Sequence, residues 1–219
     1  MNLAQYIDHT LLSSAATKSD IEKLCKEAKE YGFPAVCVQP ARVKDAVSFL
    51  EGTNIKTAAV VGFPHGATYT EIKTAETEKC ITDGATEIDM VINVGALKEG
   101  NMVLVKDDIK QVAAVCKNKA ELKVIIETGL LTDEEKVTAC KLAAEAGADF
   151  VKTSTGVLKE SAPASIEDVK LMYETVKEFG LSVKASGGIK DAKSATALIE
   201  AGASRLGTSS GIEIVSKKD

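Results

Sequence analysis

The sequence predicts an α/β protein of the (β/α)8, or TIM-barrel, type. Eight short apolar segments recur along the chain, and helical patterns separate them. Buried strands that alternate with helices are typical of βαβ units and therefore of a parallel sheet. Eight such units are enough to close that sheet into a barrel. No linker-like or low-complexity stretch interrupts them, so we expect residues 1–219 to form a single domain.

The apolar segments have the composition of strands that are buried on both faces, since valine, isoleucine and alanine dominate them. The predicted strands are residues 7–10, 35–38, 57–61, 88–92, 124–127, 150–152, 183–185 and 205–207.

The helical segments carry recognisable start signals. Ser19 with Glu22, and Thr132 with Glu135, have the spacing of a capping box, in which each side chain binds the other residue's backbone N–H. Ser165 precedes a further apolar stripe at helical spacing. We expect these stripes to pack against the outside of the barrel.

Glycines mark the predicted helix ends and lead directly into strands. These glycines are Gly32, Gly84, Gly147 and Gly202. Counting five residues on from each one reaches Cys37, Asp89, Lys152 and Gly207. This weak internal repeat predicts that the four residues lie at comparable heights in their strands.

The composition argues against several kinds of partner. The 219 residues carry a formal net charge of −5, and only 4% of them are aromatic. We therefore expect no nucleic-acid binding and no attraction to anionic membranes. The five cysteines lack C-x-x-C spacing and predict reduced core thiols. The first residues resemble neither a basic leader nor a membrane span, so we expect a cytoplasmic protein.

Lys152 is the most informative single residue. It lies in FVKTSTG at residues 150–156, and a second lysine, Lys184, lies in SVKASGG at residues 182–188. Lysine is depleted from strands and from interiors, so two lysines at strand ends need a joint explanation. Burial disfavours an ammonium, and a neutral amine can attack a carbonyl to form a Schiff base. The sequence therefore predicts covalent amine catalysis.

Asp89 interrupts an otherwise apolar strand and needs a buried counter-charge, for which Lys152 and Lys184 are the candidates. At ~5 Å and an effective dielectric of ~20, two lysines repel by about 3 kcal/mol, or roughly two pKa units. A carboxylate equally close to both lysines would oppose that shift. We therefore expect Asp89 beside the lysine that stays charged. The alternative for an isolated Asp–Lys pair is a purely structural ion pair.

Two glycine-rich loops follow the last two predicted strands, GGIKD at residues 187–191 and GTSSG at residues 207–211. Loops at these places in a (β/α)8 barrel often bind phosphate. Glycine lets backbone N–H groups approach an anion, helix amino ends add partial positive charge, and serine hydroxyls donate further hydrogen bonds. The pair of loops predicts a small, enclosed phosphate site.

Four segments together closely resemble the deoxyribose-phosphate aldolase family. They are IDHTLL at 7–12, EIDMVIN at 87–93, FVKTSTG at 150–156 and KASGG at 184–188. The resemblance runs from the first strand to Ser210. It implies a class I aldolase that reversibly cleaves 2-deoxy-D-ribose 5-phosphate to acetaldehyde and D-glyceraldehyde 3-phosphate. It further implies Lys152 as the Schiff-base nucleophile, with Lys184 and Asp89 as a proton donor and acceptor pair.

The same resemblance implies the binding residues. Those that would hold the substrate phosphate are Gly156, Gly187, Gly188, Gly207, Ser209 and Ser210. Those that would line the rest of the pocket are Asp8, Thr10, Cys37 and Thr155. The resemblance implies no metal and no other cofactor, and it implies a homo-oligomer, either a dimer or a tetramer. Some family members end in a tyrosine that assists proton transfer, whereas residues 214–219 are IVSKKD.

Three other functions use the same residues. A Schiff-base aldolase or transaldolase for a longer keto sugar phosphate would need the same lysine and loops. A sugar-phosphate isomerase or epimerase would use Asp89 as a base and Lys152 as an electrostatic group, without a covalent intermediate. A sugar-phosphate-binding barrel without turnover would need only the loops. That last function leaves the three buried charged groups unexplained.

Overall fold

The protein folds as a closed barrel of eight parallel strands, described by a computed structural model over residues 1–159 and 162–216. The strands are β1 Ile7–Leu11, β2 Ala35–Val38, β3 Lys56–Val61, β4 Glu87–Val91, β5 Glu121–Ile125, β6 Phe150–Lys152, β7 Ser182–Ser186 and β8 Ala203–Thr208. Each strand pairs with the next one along the chain, and β8 pairs with β1 to close the barrel. The predicted (β/α)8 architecture is confirmed.

Helices surround the barrel and connect its strands. They are α1 Lys18–Tyr31, α2 Val43–Phe49, α3 Thr70–Thr82, α4 Val94–Lys98, α5 Met102–Cys116, α6 Asp133–Ala146, α7 Ile166–Val176, α8 Ala192–Glu200 and α9 Gly211–Ser216. Within the described ranges, no helix combines the length and the apolar character needed to cross a membrane. Residues 217–219 of the C-terminal segment IVSKKD lie outside those ranges.

The predicted start of α1 is wrong by two residues. The N-cap is Thr17, whose hydroxyl accepts the N–H of Asp20, and the Asp20 carboxylate accepts the N–H of Thr17 at 2.8 Å. Ser19 therefore lies inside the first turn and cannot form the predicted box with Glu22. The sequence offers both spacings, and the helix is capped at Thr17, whose own backbone is extended as an N-cap residue requires.

The other helix signals are confirmed. Thr132 and Glu135 form the predicted capping box at α6, and Ser165 caps α7 by accepting the N–H of Asp168. All four helix-ending glycines have positive φ, at 69° for Gly32, 103° for Gly84, 93° for Gly147 and 118° for Gly202. The following strand begins within three residues of each of these glycines.

The main apolar core lies between the outer face of the strands and the helices, where Ile88, Val124, Val151 and Leu206 are fully buried. The barrel interior holds a much smaller apolar cluster of Cys37, Ala58 and Val60. Charged side chains fill much of the remaining interior. Because alternate residues of a strand face the same side, an inward-facing residue implies an inward-facing partner two positions away.

Candidate active site

A cavity of about 370 Å³ opens at the carboxyl ends of the strands, the edge where (β/α)8 barrels carry their active sites. Nine of the residues selected from the sequence line it: Thr10, Lys152, Thr155, Gly156, Gly187, Gly188, Gly207, Ser209 and Ser210. The barrel thus brings the strand-end lysine and both glycine-rich loops to one cavity, although they come from β6, β7 and β8.

The other four selected residues lie below this cavity rather than in its wall. Asp8, Cys37, Asp89 and Lys184 have no exposed surface. Their places follow from the strand register, because Asp8 comes from β1, Cys37 from β2, Asp89 from β4 and Lys184 from β7. They form a buried layer directly beneath Lys152.

Asp89 is the centre of the buried layer. Its Oδ2 atom accepts hydrogen bonds from the Nζ atoms of Lys152 at 2.6 Å and Lys184 at 2.8 Å. Its Oδ1 atom accepts one from Lys123 Nζ at 3.1 Å. Asp89 therefore contacts both strand-end lysines at nearly equal distances, and not only the lysine that the sequence expected to stay charged. One carboxylate contacts three lysine side chains because the neighbouring strands β4, β5, β6 and β7 place these residues at the same height inside the barrel.

The protonation state of Asp89 follows from these contacts. Burial opposes ionisation, but Lys123, Lys152 and Lys184 outweigh it and hold the pKa of Asp89 well below its usual range. Asp89 is therefore ionised at neutral pH. Beside it, burial and the Asp89 charge raise the pKa of the Cys37 thiol to about 11, so this thiol is protonated and neutral.

The two strand-end lysines differ in their surroundings. Lys184 is fully buried and donates to Asp8 as well as to Asp89. Burial disfavours its charge, but these two carboxylates outweigh that effect and raise its pKa. Lys152 is 3% exposed, reaches the cavity, and pairs with Asp89 at its inner end. Of these two lysines, Lys152 therefore lines the cavity, and Lys184 is a charged side chain behind it.

Three further charged residues complete the layer and were missed from the sequence: Glu87, Lys123 and Arg205. Lys123 Nζ contacts Glu87 Oε2 at 2.5 Å, and Arg205 Nε donates to Asp8 Oδ1 at 2.7 Å. Strand periodicity contained the signal, since Glu87 lies two residues before Asp89 on β4 and Arg205 two before Gly207 on β8. Lys123 was missed because the predicted fifth strand began at residue 124.

The buried layer pairs basic with acidic side chains. The layer and Lys152 above it contain the basic residues Lys123, Lys152, Lys184 and Arg205 and the acidic residues Asp8, Glu87 and Asp89. These seven residues therefore bring four basic side chains into contact with three carboxyl groups. Across the part of the chain that the structure describes, no cluster of histidine, cysteine and carboxylate side chains has the arrangement of a metal site.

The glycine-rich loops form the opposite wall of the cavity. Gly187 and Gly188 both have positive φ, at 96° and 74°. A Cβ atom at Gly187 would lie 3.5 Å from the Gly156 Cα atom, so the loops after β6 and β7 touch. Glycine at both positions permits this approach and leaves backbone at the cavity surface. Such backbone is suited to binding an anion.

Helix ends contribute less to this wall than the sequence suggested. The first turn of α8 is capped internally, because Asp191 Oδ1 accepts the N–H of Ser194 at 2.8 Å. The N–H of Ser210 binds Thr208 Oγ1 at 2.9 Å. The loop backbone and the hydroxyls of Ser209 and Ser210 are therefore the main candidates for an anion. Lys190, in the loop after β7, lines the same cavity.

Thr155 adds a hydroxyl between the lysine and the loops. It is 5% exposed, and its Oγ1 atom has no hydrogen-bond partner within the described residues. A buried hydroxyl without a partner is unfavourable unless a ligand supplies one. Together with Lys152 and the loops, this arrangement can bind a small phosphorylated carbonyl compound, attack its carbonyl with an amine and transfer protons through Asp89 and Lys184.

Comparison with known proteins gives consistent results. A profile described as DeoC/LacD family aldolase matches residues 2–217. A deoxyribose-phosphate aldolase of Aciduliprofundum boonei is 58% identical over 97% of this chain and 95% of its own length. One from a Geobacillus species is 57% identical over 99% and 96%. The solved deoxyribose phosphate aldolase of Aeropyrum pernix, which has a unique tetrameric structure, is 33% identical with a TM-score of 0.91. The match covers 98% of this chain and 89% of that one.

Proposed function

The chain belongs to the DeoC/LacD family of aldolases, and from this premise we propose how its barrel carries out the reaction. The reaction is the reversible cleavage of 2-deoxy-D-ribose 5-phosphate to acetaldehyde and D-glyceraldehyde 3-phosphate, a step in deoxyribonucleoside catabolism. The observation that supports the residue assignment most strongly is the position of the Lys152 amine. This amine reaches the cavity, while the carboxylate 2.6 Å away is shared with a charged lysine behind it.

Lys152 opens the reaction as a nucleophile. Its neutral amine attacks the aldehyde carbon C1, and loss of water gives a protonated Schiff base. Loss of the proton from the C3 hydroxyl then breaks the C2–C3 bond. The bonding electrons move to C2 and form an enamine with the iminium as the electron sink. D-Glyceraldehyde 3-phosphate leaves, C2 takes up a proton, and hydrolysis of the new imine releases acetaldehyde and restores Lys152.

Asp89 and Lys184 accept and donate the protons of the reaction. Asp89 is the acceptor because the surrounding ammonium groups keep it ionised, and Lys184 is the donor because Asp8 and Asp89 keep it charged. Both are fully buried, so we assign them to act through a water molecule that carries the proton to C2 and from the C3 hydroxyl. The layer beneath Lys152 thus contains both a proton acceptor, the ionised Asp89, and a proton donor, the charged Lys184, at neutral pH.

Substrate binding is divided between the two sides of the cavity. The phosphate binds at the backbone of Gly156, Gly187, Gly188 and Gly207 and at the Ser209 and Ser210 hydroxyls. Thr10 and Thr155 bind the sugar hydroxyls, whereas Asp8 and Cys37 act from below through Lys184 and Asp89. Gly207 also leaves room for the donor lysine, because a Cβ atom there would lie 3.1 Å from Lys184 Cε. Residues 1–219 form one catalytic domain in this proposal.

Borohydride trapping tests the assignment. The wild-type protein and the Lys152→Ala variant are incubated with acetaldehyde, reduced and analysed by peptide mass spectrometry. We expect an ethyl group on Lys152 of the wild type and none in the variant. An adduct on Lys184 would exchange the roles of the two lysines. A catalytically active wild type with no trapped adduct would favour the isomerase or epimerase function, and ligand binding without turnover would favour a binding protein.

We also propose that the protein is a cytoplasmic homo-oligomer that binds neither nucleic acid nor membranes. Tyr69 and Val103 are 78% and 81% exposed at the starts of the neighbouring helices α3 and α5, and Ile72 and Leu104 are exposed beside them in sequence. Exposed apolar side chains in adjacent helices are typical of a subunit contact. Light scattering after gel filtration should give a dimeric or tetrameric mass. A monomeric mass at micromolar concentration would contradict this proposal.

A further inference from the structure

Glu127 has an unusual backbone conformation at the catalytic end of the barrel. It follows β5 by two residues, with φ 58° and ψ 65°. Among the described residues, the other non-glycine residue with positive φ is Asn118, a type that tolerates this region. Glutamate has no such tolerance, because its Cβ atom crowds the following carbonyl oxygen. Strained residues of this kind concentrate at functional sites.

The left-handed turn lets Glu127 bury its side chain completely and direct it toward β6. Glu127 Oε2 accepts the backbone N–H of Thr155 at 3.1 Å. Two backbone hydrogen bonds precede this contact, from Ile126 N to Lys152 O at 3.0 Å and from Thr128 N to Thr153 O at 2.9 Å. The carboxylate therefore extends the connection between the ends of β5 and β6 beyond the regular strand pairing.

The segment held in this way joins the two ends of the proposed substrate site. Thr155 carries the buried hydroxyl that has no protein partner within the described residues, and Gly156 touches the loop after β7. Lys152 lies three residues before Thr155, and the phosphate loop begins at Gly156. The position of Thr155 and Gly156 thus determines the separation between the reacting amine and the anion-binding backbone.

We propose that Glu127 is a positioning residue that sets this separation and so selects for a phosphorylated substrate. The inference rests on the function proposed above. A substrate with both an aldehyde and a phosphate must fit both ends of the site at once, so it depends on the held segment. An aldehyde without a phosphate needs only the Lys152 end and depends on the segment much less.

The test compares 2-deoxy-D-ribose 5-phosphate with 2-deoxy-D-ribose as substrates for Glu127→Ala, Glu127→Gly and Glu127→Gln. We expect Glu127→Ala to lower kcat/KM for the phosphorylated sugar by about tenfold or more, mainly through KM, as for loss of a hydrogen bond to a charged group. The loss with 2-deoxy-D-ribose should stay below about threefold. Borohydride trapping of acetaldehyde on Lys152 should persist in every variant.

The three variants separate the carboxylate from the backbone strain. Glu127→Gly removes the strain together with the carboxylate, so it should unfold at a higher temperature than Glu127→Ala yet show the same substrate-dependent loss. Glu127→Gln keeps an oxygen acceptor without the charge and should lie between wild type and Glu127→Ala. It decides the question if the other two variants do not fold. Glu134→Ala removes an exposed carboxylate on α6 and should match wild type.

Equal losses for the two sugars, or no loss for either, would overturn the positioning role while leaving the proposed function intact. Failure of the wild type to form an adduct at Lys152 would instead overturn the proposed function. The two failures are therefore distinguishable in the same set of measurements.

Discussion

Replacing Lys152 with alanine is expected to lower kcat/KM for 2-deoxy-D-ribose 5-phosphate by on the order of 1,000-fold or more, because the covalent step is lost. Of the two strand-end lysines, Lys152 reaches the cavity and Lys184 is fully buried. Steady-state assays coupled to the release of D-glyceraldehyde 3-phosphate measure the effect directly.

Two controls make this result specific. Lys170→Ala removes an exposed lysine of α7 and should retain wild-type activity. Lys152→Cys should be inactive until it is treated with 2-bromoethylamine, which attaches an aminoethyl group to the thiol and restores an amine at nearly the same position. The native cysteines are buried, so wild type treated in parallel shows how much they react. Activity of Lys152→Ala within tenfold of wild type would exclude the nucleophilic role.

Replacing Asp89 is expected to damage both activity and stability, since three buried ammonium groups share its carboxylate. Asp89→Asn leaves those charges without their common partner. Removal of one partner from a buried ion pair typically costs about 3–5 kcal/mol. We expect a decrease of this size in the free energy of unfolding at pH 7, measured with urea, and a loss of about 100-fold or more in kcat.

The pH dependence of this stability difference has a defined sign. In the folded protein the pKa of Asp89 is depressed below its ordinary value of 3.8. The stabilisation from Asp89 is therefore complete above about pH 4 and is lost as the pH falls through the folded-state pKa. The difference between wild type and Asp89→Asn should narrow on acidification. Asp107→Asn removes an exposed carboxylate and should show little difference at either pH. A stability difference between wild type and Asp89→Asn that widens as the pH falls would contradict the depressed pKa of Asp89.

The barrel itself was predictable from local patterns. Most strands are short apolar runs, and the helices between them carry apolar residues at helical spacing. The strands β2 and β6 were therefore predicted at their observed limits, and the limits of the other six strands were predicted to within a few residues. The N-cap of α1 was predicted two residues too late, because Thr17 with Asp20 and Ser19 with Glu22 both have the spacing of a capping pair. Only the backbone geometry at Thr17 distinguishes them.

The residues that make up the buried layer could be identified only from the closed barrel. Lys152 and Asp89 lie 63 residues apart, and Lys184 and Asp8 lie 176 apart, yet each pair is in hydrogen-bond contact. The sequence showed that Lys152, Lys184 and Asp89 are charged residues in strands. It did not show that Lys123, Glu87 and Arg205 join them. The predicted strands left out Lys123 and Glu87, and periodicity alone gives the face of a residue but not the side chains that it meets.

The amino-acid sequence alone determined the fold class and the chemical types present at the strand ends, because strand and helix periodicity and buried lysine are local signals. The tertiary structure alone decided which lysine meets the cavity, which carboxylates surround the other, and how Glu127 reaches Thr155. These outcomes depend on strand register and barrel closure. They join residues that are distant in the chain, and no local pattern specifies the distance between two such side chains.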